Sequence, residues 1–280
     1  MKKSRLFSLI LAMMMFCVFV LLTWLYVRPT EGSYRIVCLG DSLIGNERED
    51  TVVTDVMEEV LGEKVWNGAF GGTCMSKGNT GNRPDYYEDS LSMCELADAI
   101  ASQDFTRQQI DITNNQFKLG YFDESVRALA QIDFSKAEVL IIEHGTNDYN
   151  SGRPIDNEEN PFDCYTFGGA LRYSISTIQK AYPDLRLILV TPPYCFFERD
   201  GEVTNDCYSL DYGYGNLEKY AELEIAIAEE YGIESIDVFH EIGINEENAK
   251  EYLYDGVHFN REGRKLFGET IAGYLLETSD

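Results

Sequence analysis

The sequence predicts an α/β protein in which a doubly wound, mainly parallel sheet of five strands is flanked by helices and preceded by one transmembrane helix. From residue 34 onward, short apolar runs alternate with segments whose apolar residues recur at helical spacing. Strands that alternate with helices form parallel sheets with right-handed crossovers. The run at 137–142 is apolar on both faces, which is typical of a central parallel strand. With 280 residues and 44% hydrophobic content, the chain can bury a core, which excludes intrinsic disorder.

The strands and helices follow from this periodicity. The strands are predicted at 34–39, 64–66, 137–142, 185–190 and 235–238. The helices are predicted from Val52 to Leu61, from Phe167 to Tyr182, from Leu217 to Tyr231 before Gly232, and after the N-cap Asn260. The stretch from Cys74 to Phe134 is too long for a single crossover, and we expect it to add helices over one edge of the site.

Residues 6–27 are predicted to form a transmembrane anchor. This run of 22 residues carries no charge and no proline, and a helix of that length spans about 33 Å, close to the hydrocarbon thickness of a bilayer. Lys2, Lys3 and Arg5 precede it, so the positive-inside rule leaves the tail 1–5 in the cytoplasm. A linker at 28–33 and a single extracellular domain at 34–280 follow. The alternative is a cleaved signal peptide and a secreted protein, but no small-x-small cleavage site follows the run.

The charge balance limits the partners of the domain. The chain has 23 basic and 48 acidic residues, and four of the basic ones but none of the acidic ones lie in residues 1–30. The remaining 250 residues therefore carry a net charge of −29. Polyanions and anionic membrane surfaces repel such a body, which argues against nucleic acid and favours neutral or cationic substrates.

Six cysteines lie in the extracellular domain, and no CxxC pair with metal-ligand spacing occurs among them. Outside the cytoplasm disulfide bonds can form. Cys195 and Cys207 flank one predicted loop, which a bond between them would close. Sequence alone does not give the pairing.

Residues suited to acyl transfer follow four of the predicted strands. Because ligands of parallel sheets bind outside the carboxyl ends of the strands, these segments are predicted to meet at one rim. The segments are GDSL at 40–43, NGAFGG at 67–72, HGTND at 144–148 and DGVH at 255–258. They supply a serine, a glycine turn, an asparagine and an Asp-x-x-His pair, which is the inventory that acyl transfer requires.

This set resembles the four motif blocks of the SGNH hydrolase superfamily, also called the GDSL esterases and lipases. The blocks stand in the expected order, and the resemblance covers the chain from Tyr34 to the end. GDSL alone is a weak signal, whereas GTND after a buried strand and DGVHFN near the carboxyl terminus are more specific. The segments TFGGALRYSI and AYPDLRLILVTP also look like the crossover of the esterase branch. The resemblance implies a flavodoxin-like SGNH fold and a serine hydrolase that acts on ester bonds.

The resemblance also implies a role for each motif residue. Ser42 is the nucleophile, His258 is the base that later returns the proton to the leaving alcohol, and Asp255 orients the imidazole. The donors of the oxyanion hole are the backbone N–H of Ser42, the N–H of Gly72 and the side-chain amide of Asn147. This chemistry needs neither a metal nor an organic cofactor.

Structural interpretations of the same residues stay open at this point. Ser42 is also suited to cap a helix, and Asn147 and Asp148 to hold a turn. Asp41 is interpreted as a structural acceptor for nearby backbone, and Gly71 is an alternative to Gly72 in the oxyanion turn.

Only three histidines are present to serve as the base. His144 is the rival of His258, but its position at the end of a buried strand favours a hydrogen-bonded structural histidine. His240 follows the fifth strand, is expected to have no acidic residue at triad-like spacing, and is interpreted as loop packing. The Asp-x-x-His context selects His258.

The substrate is predicted less closely than the reaction. An extracellular anchored domain favours a short-chain ester, such as an O-acetyl group on a glycan. Aromatic faces suit sugar rings, and aromatic residues are abundant in the loops expected to shape the pocket: Tyr149, Phe162, Tyr165, Tyr194, Phe196, Phe197, Tyr208, Tyr212 and Tyr214. The alternatives are an acyltransferase that moves an acyl group onto a cell-surface polysaccharide, and a glycan-binding domain without catalytic activity.

Overall fold

The computed structural model describes residues 33–78, 88–115 and 118–278. The predicted tail and anchor at 1–27 lie outside these ranges. Within them, no helix combines the length and the apolar character that crossing a membrane requires. The anchor therefore stays a prediction, and the described residues belong to the domain that follows it.

A sheet of five parallel strands forms the centre of the domain, which confirms the predicted α/β fold. The strands among the described residues are β1 (Ile36–Gly40), β2 (Val65–Asn67), β3 (Val139–Glu143), β4 (Arg186–Val190), β5 (Phe196–Arg199), β6 (Glu202–Asp206) and β7 (Glu234–Ile236). The sheet has the order β2-β1-β3-β4-β7, and all its neighbours are parallel. The order reverses between β1 and β3, and such a switch point opens the crevice where ligands bind.

Helices fill the crossovers and flank the sheet. In chain order they are α1 (Ser42–Gly45), α2 (Val53–Leu61), α3 (Glu88–Leu91), α4 (Met93–Ser102), α5 (Thr106–Asn114), α6 (Phe122–Leu129), α7 (Thr146–Asn150), α8 (Phe167–Ala181), α9 (Leu217–Tyr231), α10 (Val238–Glu241), α11 (Ala249–Tyr252) and α12 (Arg261–Glu277). They pack as two groups, because α2 lies against α12, while α8 lies against α4 and α9.

The two central strands explain why this sheet is stable. The side chains at 37–39 of β1 and at 140–142 of β3 are completely buried, so these strands are apolar on both faces. Burying a large aliphatic side chain contributes about 1.5–3 kcal/mol. The register places Cys38 opposite Ile141 and Gly40 opposite Glu143. The carboxyl ends of β1 and β3 therefore stop side by side.

The helix ends also follow from local sequence. Asn216 caps α9 by accepting a hydrogen bond from Lys219 N, and α9 ends at Gly232 in the left-handed conformation with φ of 62°. Asn260 caps α12 through Gly263 N at 3.1 Å. The predicted helices at both places are confirmed. The expectation of added helices between Cys74 and Phe134 is met by α3 to α6.

The hairpin β5–β6 was not predicted, since its residues were assigned to a loop. Its strands are short and carry several charges, so they lack an apolar pattern. The two residues between the strands, Asp200 and Gly201, have φ of 55° and 85°. Asp-Gly between two strands is the typical sequence of a two-residue hairpin turn, and that signal was present in the sequence.

The fifth strand of the sheet ends earlier than expected. It was predicted to run to Val238, but β7 ends at Ile236, because the side chain of Asp237 accepts a hydrogen bond from His240 N and starts α10. This capping interaction also fixes where His240 lies.

Candidate active site

Ser42 is the first residue of α1, which begins directly after β1. The preceding residue, Asp41, is fully buried, and its Oδ1 accepts a hydrogen bond from Leu43 N at 2.9 Å. Asp41 is therefore the N-cap of α1, and the capping interpretation of Ser42 is wrong. The side chain of Ser42 is half-buried.

The hydroxyl of Ser42 meets the imidazole of His258. Ser42 Oγ lies 2.9 Å from His258 Nε2, and His258 Nδ1 lies 2.7 Å from Asp255 Oδ2. Both distances are within hydrogen-bond range. The structure thus brings together the three residues for which the sequence suggested a nucleophile, a base and an orienting carboxylate.

The turn from Asp255 to His258 orients its own histidine. Asp255 Oδ1 accepts the backbone N–H groups of Val257 at 3.0 Å and His258 at 2.7 Å, which leaves Oδ2 for the ring. Burial raises the pKa of Asp255, but the hydrogen bonds from His258 and Val257 outweigh it and hold the pKa below its usual value. The carboxylate therefore stays ionised and can stabilise an imidazolium. The side chains are partly open to solvent, with 42% of Asp255 and 28% of His258 exposed.

Two backbone N–H groups are free to bind an oxyanion. Neither Ser42 N nor Gly72 N donates a hydrogen bond to any residue in the described part of the chain. Gly71 N, by contrast, donates to the hydroxyl of Tyr121 at 2.8 Å. This contact favours Gly72 over Gly71 as the donor. Gly72 has φ of 80°, a conformation that glycine adopts without strain.

Asn147 follows β3 as expected, but its amide is already engaged. Nδ2 donates to Asp41 Oδ2 at 2.8 Å and to the carbonyl of Thr73 at 3.0 Å. An amide nitrogen has two hydrogens, so an oxyanion reaches this group only by sharing or replacing one of these bonds. The same bonds tie the loop after β3 to Asp41 and to the turn after β2.

Two residues that the sequence analysis missed hold the oxyanion turn against Ser42. The guanidinium of Arg48 donates to the carbonyls of Gly45, Asn67 and Ala69 at 2.8, 3.2 and 2.6 Å. It also lies 4.3 Å from the ring centroid of Tyr121. No spacing rule points to Arg48, since its partners are backbone carbonyls at the end of α1 and at or just after the end of β2.

Buried acidic groups lie behind the nucleophile. Glu143 is fully buried at the end of β3, and its Oε2 lies 3.4 Å from Asp41 N. Burial, and then the charge of Asp41, raise the pKa of Glu143 well above its usual value. Burial also raises the pKa of Asp41 to about 6, although the hydrogen bond from Leu43 opposes the shift. Asp148 is buried as well and accepts the backbone N–H groups of Met75 and Ser76 at 2.7 and 3.0 Å.

The other two histidines differ from His258 in their surroundings. His144 is fully buried, and burial lowers its pKa to about 3, so it is a neutral structural histidine. Its ring nitrogens make no hydrogen bond of good geometry among the described residues, contrary to the expected hydrogen-bonded role. The expectation that His240 has no acidic residue at triad-like spacing is wrong, because Asp237 precedes it by three residues and their side chains are 2.8 Å apart. Its Nε2 faces Glu218 at 3.6 Å rather than a hydroxyl.

The aromatic residues of the loops divide by exposure. Tyr149, Tyr194 and Phe196 are buried and pack the loops, and Phe197 is partly buried. Exposed rings are found at Phe162, Tyr165, Tyr208, Tyr212 and Tyr214. One residue that the sequence did not suggest, Tyr254, lies beside His258 and is 63% exposed. Its ring stacks on that of His258, with 5.8 Å between the ring centroids and 19° between the ring planes.

Comparisons with known proteins identify a family and a shared fold. The model of the GDSL-like lipase/acylhydrolase family matches residues 38–266. A GDSL esterase/lipase of Arabidopsis thaliana is 27% identical over 145 residues, which are 48% of this chain and 57% of that protein. A second one is 30% identical over 119 residues, 38% of this chain and 46% of that protein. The chain thus spans about half the length of the curated relatives it matches.

A solved structure with the same fold is that of a carbohydrate acetylesterase from Sinorhizobium meliloti. The match covers 86% of this chain and 98% of that protein's chain, with a TM-score of 0.51 and 16% sequence identity. At that identity the likeness concerns the fold alone.

The raised pKa of Asp41 predicts a pH dependence of stability. Asp41 has a pKa of about 6 in the folded protein against 3.8 for a free side chain, so folding takes up a proton between these values. The contribution of Asp41 to the free energy of unfolding is least favourable above pH 6 and becomes more favourable as the pH falls toward 4. The unfolding free energy of the parent minus that of Asp41→Asn is therefore expected to rise by up to about 3 kcal/mol between pH 7 and pH 4, as measured by urea titration.

Asp211→Asn is the matched control for this measurement. Asp211 accepts hydrogen bonds from Gly213 N and Gly215 N, and these bonds lower its pKa. The stabilisation by Asp211 is present at neutral pH and is lost on acidification. The unfolding free energy of the parent minus that of Asp211→Asn therefore falls between pH 7 and pH 4. A difference for Asp41→Asn that is flat, or falls like that of Asp211→Asn, contradicts the prediction.

Proposed function

The chain belongs to the GDSL-like lipase/acylhydrolase family, and we propose that it is a carboxylic ester hydrolase that acts through an acyl-enzyme on Ser42. One observation carries the proposal. The imidazole of His258 lies between the hydroxyl of Ser42 and the carboxylate of Asp255, at 2.9 and 2.7 Å. A nucleophile, a base and an orienting carboxylate in this order are the parts that serine hydrolysis requires.

The proposed reaction has two steps. In the first, Ser42 Oγ attacks the ester carbonyl while His258 Nε2 takes its proton, and the imidazolium then gives that proton to the leaving alcohol. In the second, His258 activates a water that attacks the acyl group on Ser42 and releases the acid. Asp255 keeps Nδ1 of the ring protonated and offsets the positive charge while the proton is held.

The developing negative charge on the carbonyl oxygen needs donors that are already in place. The free N–H groups of Ser42 and Gly72 support this role, and Asn147 contributes a third donor when its bond to Thr73 or Asp41 is shared with the oxyanion. Removing one such donor typically costs about 3–4 kcal/mol of transition-state stabilisation.

The solvent exposure of His258 and Asp255 favours hydrolysis over acyl transfer. Because 28% of the His258 side chain and 42% of the Asp255 side chain are exposed, water reaches the acyl-enzyme from the side of the base. A transferase must protect its acyl-enzyme from that water. Product analysis with and without an acceptor sugar tests this choice, and an acylated sugar as the main product would contradict it.

An ester of a sugar is the substrate class that fits Tyr254. His258 protonates the leaving alcohol, so the alcohol part of the substrate must lie beside His258. The ring of Tyr254 stacks on that histidine and presents an exposed face there. Aromatic faces pack well against the C–H groups of sugar rings.

A short acyl group, such as acetyl, fits the crowding around the oxyanion turn. A Cβ on Gly71 would come within 2.2 Å of Asn46 Oδ1 and 3.0 Å of Leu119 Cδ1. The oxyanion turn is thus closely packed against Asn46 and Leu119 at Gly71, and we propose that the acyl group is short enough to fit beside it. Rates that increase from acetyl to long acyl esters would contradict this part of the proposal.

We also place the domain outside the cell, held by the anchor at 6–27. The sequence supports this by its uncharged run after Lys2, Lys3 and Arg5. The linker at 28–33 spans about 20 Å when extended, and β1 runs from there to Ser42, so the active site lies at the far end of β1 from the anchor. Sedimentation of the full chain with membranes, and its loss on deleting residues 1–27, is the expected result, while a soluble full chain would contradict it.

The triad predicts non-additive losses of activity. Ser42→Ala and His258→Ala are each expected to lower kcat for p-nitrophenyl acetate by about 10⁴-fold or more, and the double variant by no more than either, since the residues act as one unit. His240→Ala, which removes the other Asp-paired histidine, is the control and keeps the parent rate. Losses that multiply in the double variant would contradict the shared proton transfer. A parent without turnover that binds glycans would instead support the binding-domain alternative.

The stacking of Tyr254 on His258 predicts a specific effect of Tyr254 on sugar esters. Tyr254→Ala is expected to raise KM for an acetylated xylo-oligosaccharide by roughly fivefold, because a stacking contact of about 1 kcal/mol is lost. Tyr254→Phe keeps the ring and therefore a KM near that of the parent. Tyr165→Ala removes a similarly exposed ring that does not stack on His258 and serves as the control. Equal effects of Tyr254→Ala and Tyr165→Ala would contradict the role of Tyr254.

A further inference from the structure

Cys195 and Cys207 lie opposite each other at the open end of the hairpin β5–β6. The register pairs Phe196 with Asp206, so the next pair outward is Cys195 with Cys207. The backbone confirms this pairing, because Cys207 N donates to the Cys195 carbonyl at 2.9 Å. Directly opposite residues of antiparallel strands have Cα atoms about 4.5–5.5 Å apart and side chains on the same face. A disulfide bond needs Cα atoms about 4.4–6.8 Å apart.

Both side chains are shielded from solvent. Cys195 is 1% exposed and Cys207 is fully buried, and both carry thiols in this structure. A hydrogen bond with Cys207, and then burial, raise the pKa of the Cys195 thiol well above its usual value. We propose that Cys195 and Cys207 form a structural disulfide bond that braces the turn carrying Asp255 and His258.

The link to that turn passes through Phe196. Phe196 N donates to the carbonyl of Gly256 at 2.8 Å. Gly256 has φ of 88°, and a Cβ at this position would come within 2.3 Å of the Phe196 carbonyl oxygen. The hairpin and the catalytic turn are therefore in direct backbone contact, next to Cys195. Fixing Cys195 limits how far Phe196, and with it Gly256, can move.

The bond forms by thiol–disulfide exchange with an external disulfide, such as oxidised glutathione. The thiolate of one cysteine attacks the external disulfide and releases one thiol, which leaves a mixed disulfide. The second thiolate then attacks the protein sulfur of that mixed disulfide and releases the second thiol. Two protons leave the cysteines, and two electrons pass to the oxidant. Since buried thiols with raised pKa react slowly, the bond forms while the hairpin is still open during folding.

Peptide mapping tests the bond itself. The full chain is refolded in a glutathione redox buffer, denatured without reductant, alkylated and digested. The expected result is a linked peptide pair that joins Cys195 to Cys207. Recovery of both cysteines as alkylated free thiols would overturn the proposal.

Kinetics test the bracing, which rests on the proposed esterase function for its readout. The double variant Cys195→Ala/Cys207→Ala is expected to lower Tm by roughly 5 °C, as loss of a disulfide in a domain of this size does. We also expect kcat to fall three- to tenfold well below Tm, with KM changed less than twofold, because the turn is less well held. Ile112→Ala, in the buried face of α5, is the control that lowers Tm without changing kcat.

The two readouts separate the possible failures. If the double variant lowers Tm but keeps the parent kcat, as the control does, the bracing role is overturned. If the parent shows no ester turnover, the proposed function fails, and the peptide map still decides whether the bond exists.

Discussion

The hydrogen bond between Ser42 and His258 depends on the whole sheet, since it joins residues that are 216 positions apart. β1 carries Ser42 to the edge of the sheet, and the chain completes β3, β4 and β7 before the turn with His258 reaches the same edge. Parallel pairing sets this edge, because all five strands of the central sheet run in the same direction and end on the same side. Any change that alters the pairing of β1 with β3 would separate the two residues.

The same edge is stabilised by groups that are costly to bury. Asp41 is buried and accepts hydrogen bonds from Leu43 and Asn147, and burial beside Asp41 raises the pKa of Glu143. These contacts align the start of α1 with the loop after β3. We interpret the buried carboxyl groups as a stability cost that keeps the oxyanion donors in place, which is a common compromise at catalytic sites.

The sequence was sufficient where chemistry follows directly on an apolar run. Ser42 and Asn147 come after β1 and β3, so parallel pairing brings these two residues to one edge. The turn to His258 comes after α10 and α11, and only its motif pointed to it. Arg48 and Tyr121 were out of reach, because their partners are backbone groups of loops that only the folded chain brings close. Pattern alone also does not choose between histidines.

The two Asp-x-x-His pairs illustrate that limit. Asp237 and His240 have the spacing of Asp255 and His258, and their side chains form the same hydrogen bond. The difference lies in what the outer ring nitrogen meets, a carboxylate in one case and the hydroxyl of Ser42 in the other. That depends on tertiary contacts. The hairpin β5–β6 was missed for another reason, since its Asp-Gly turn was visible but its strands lack an apolar pattern.

The most direct measurement is rapid acid quenching of the protein during turnover of an acetyl ester, followed by mass spectrometry of its peptides. If Ser42 is the nucleophile, the peptide that contains it gains an acetyl group during turnover and loses it once the ester is consumed. Steady turnover with an unmodified Ser42 peptide, or with the acetyl group on another residue, would contradict the account.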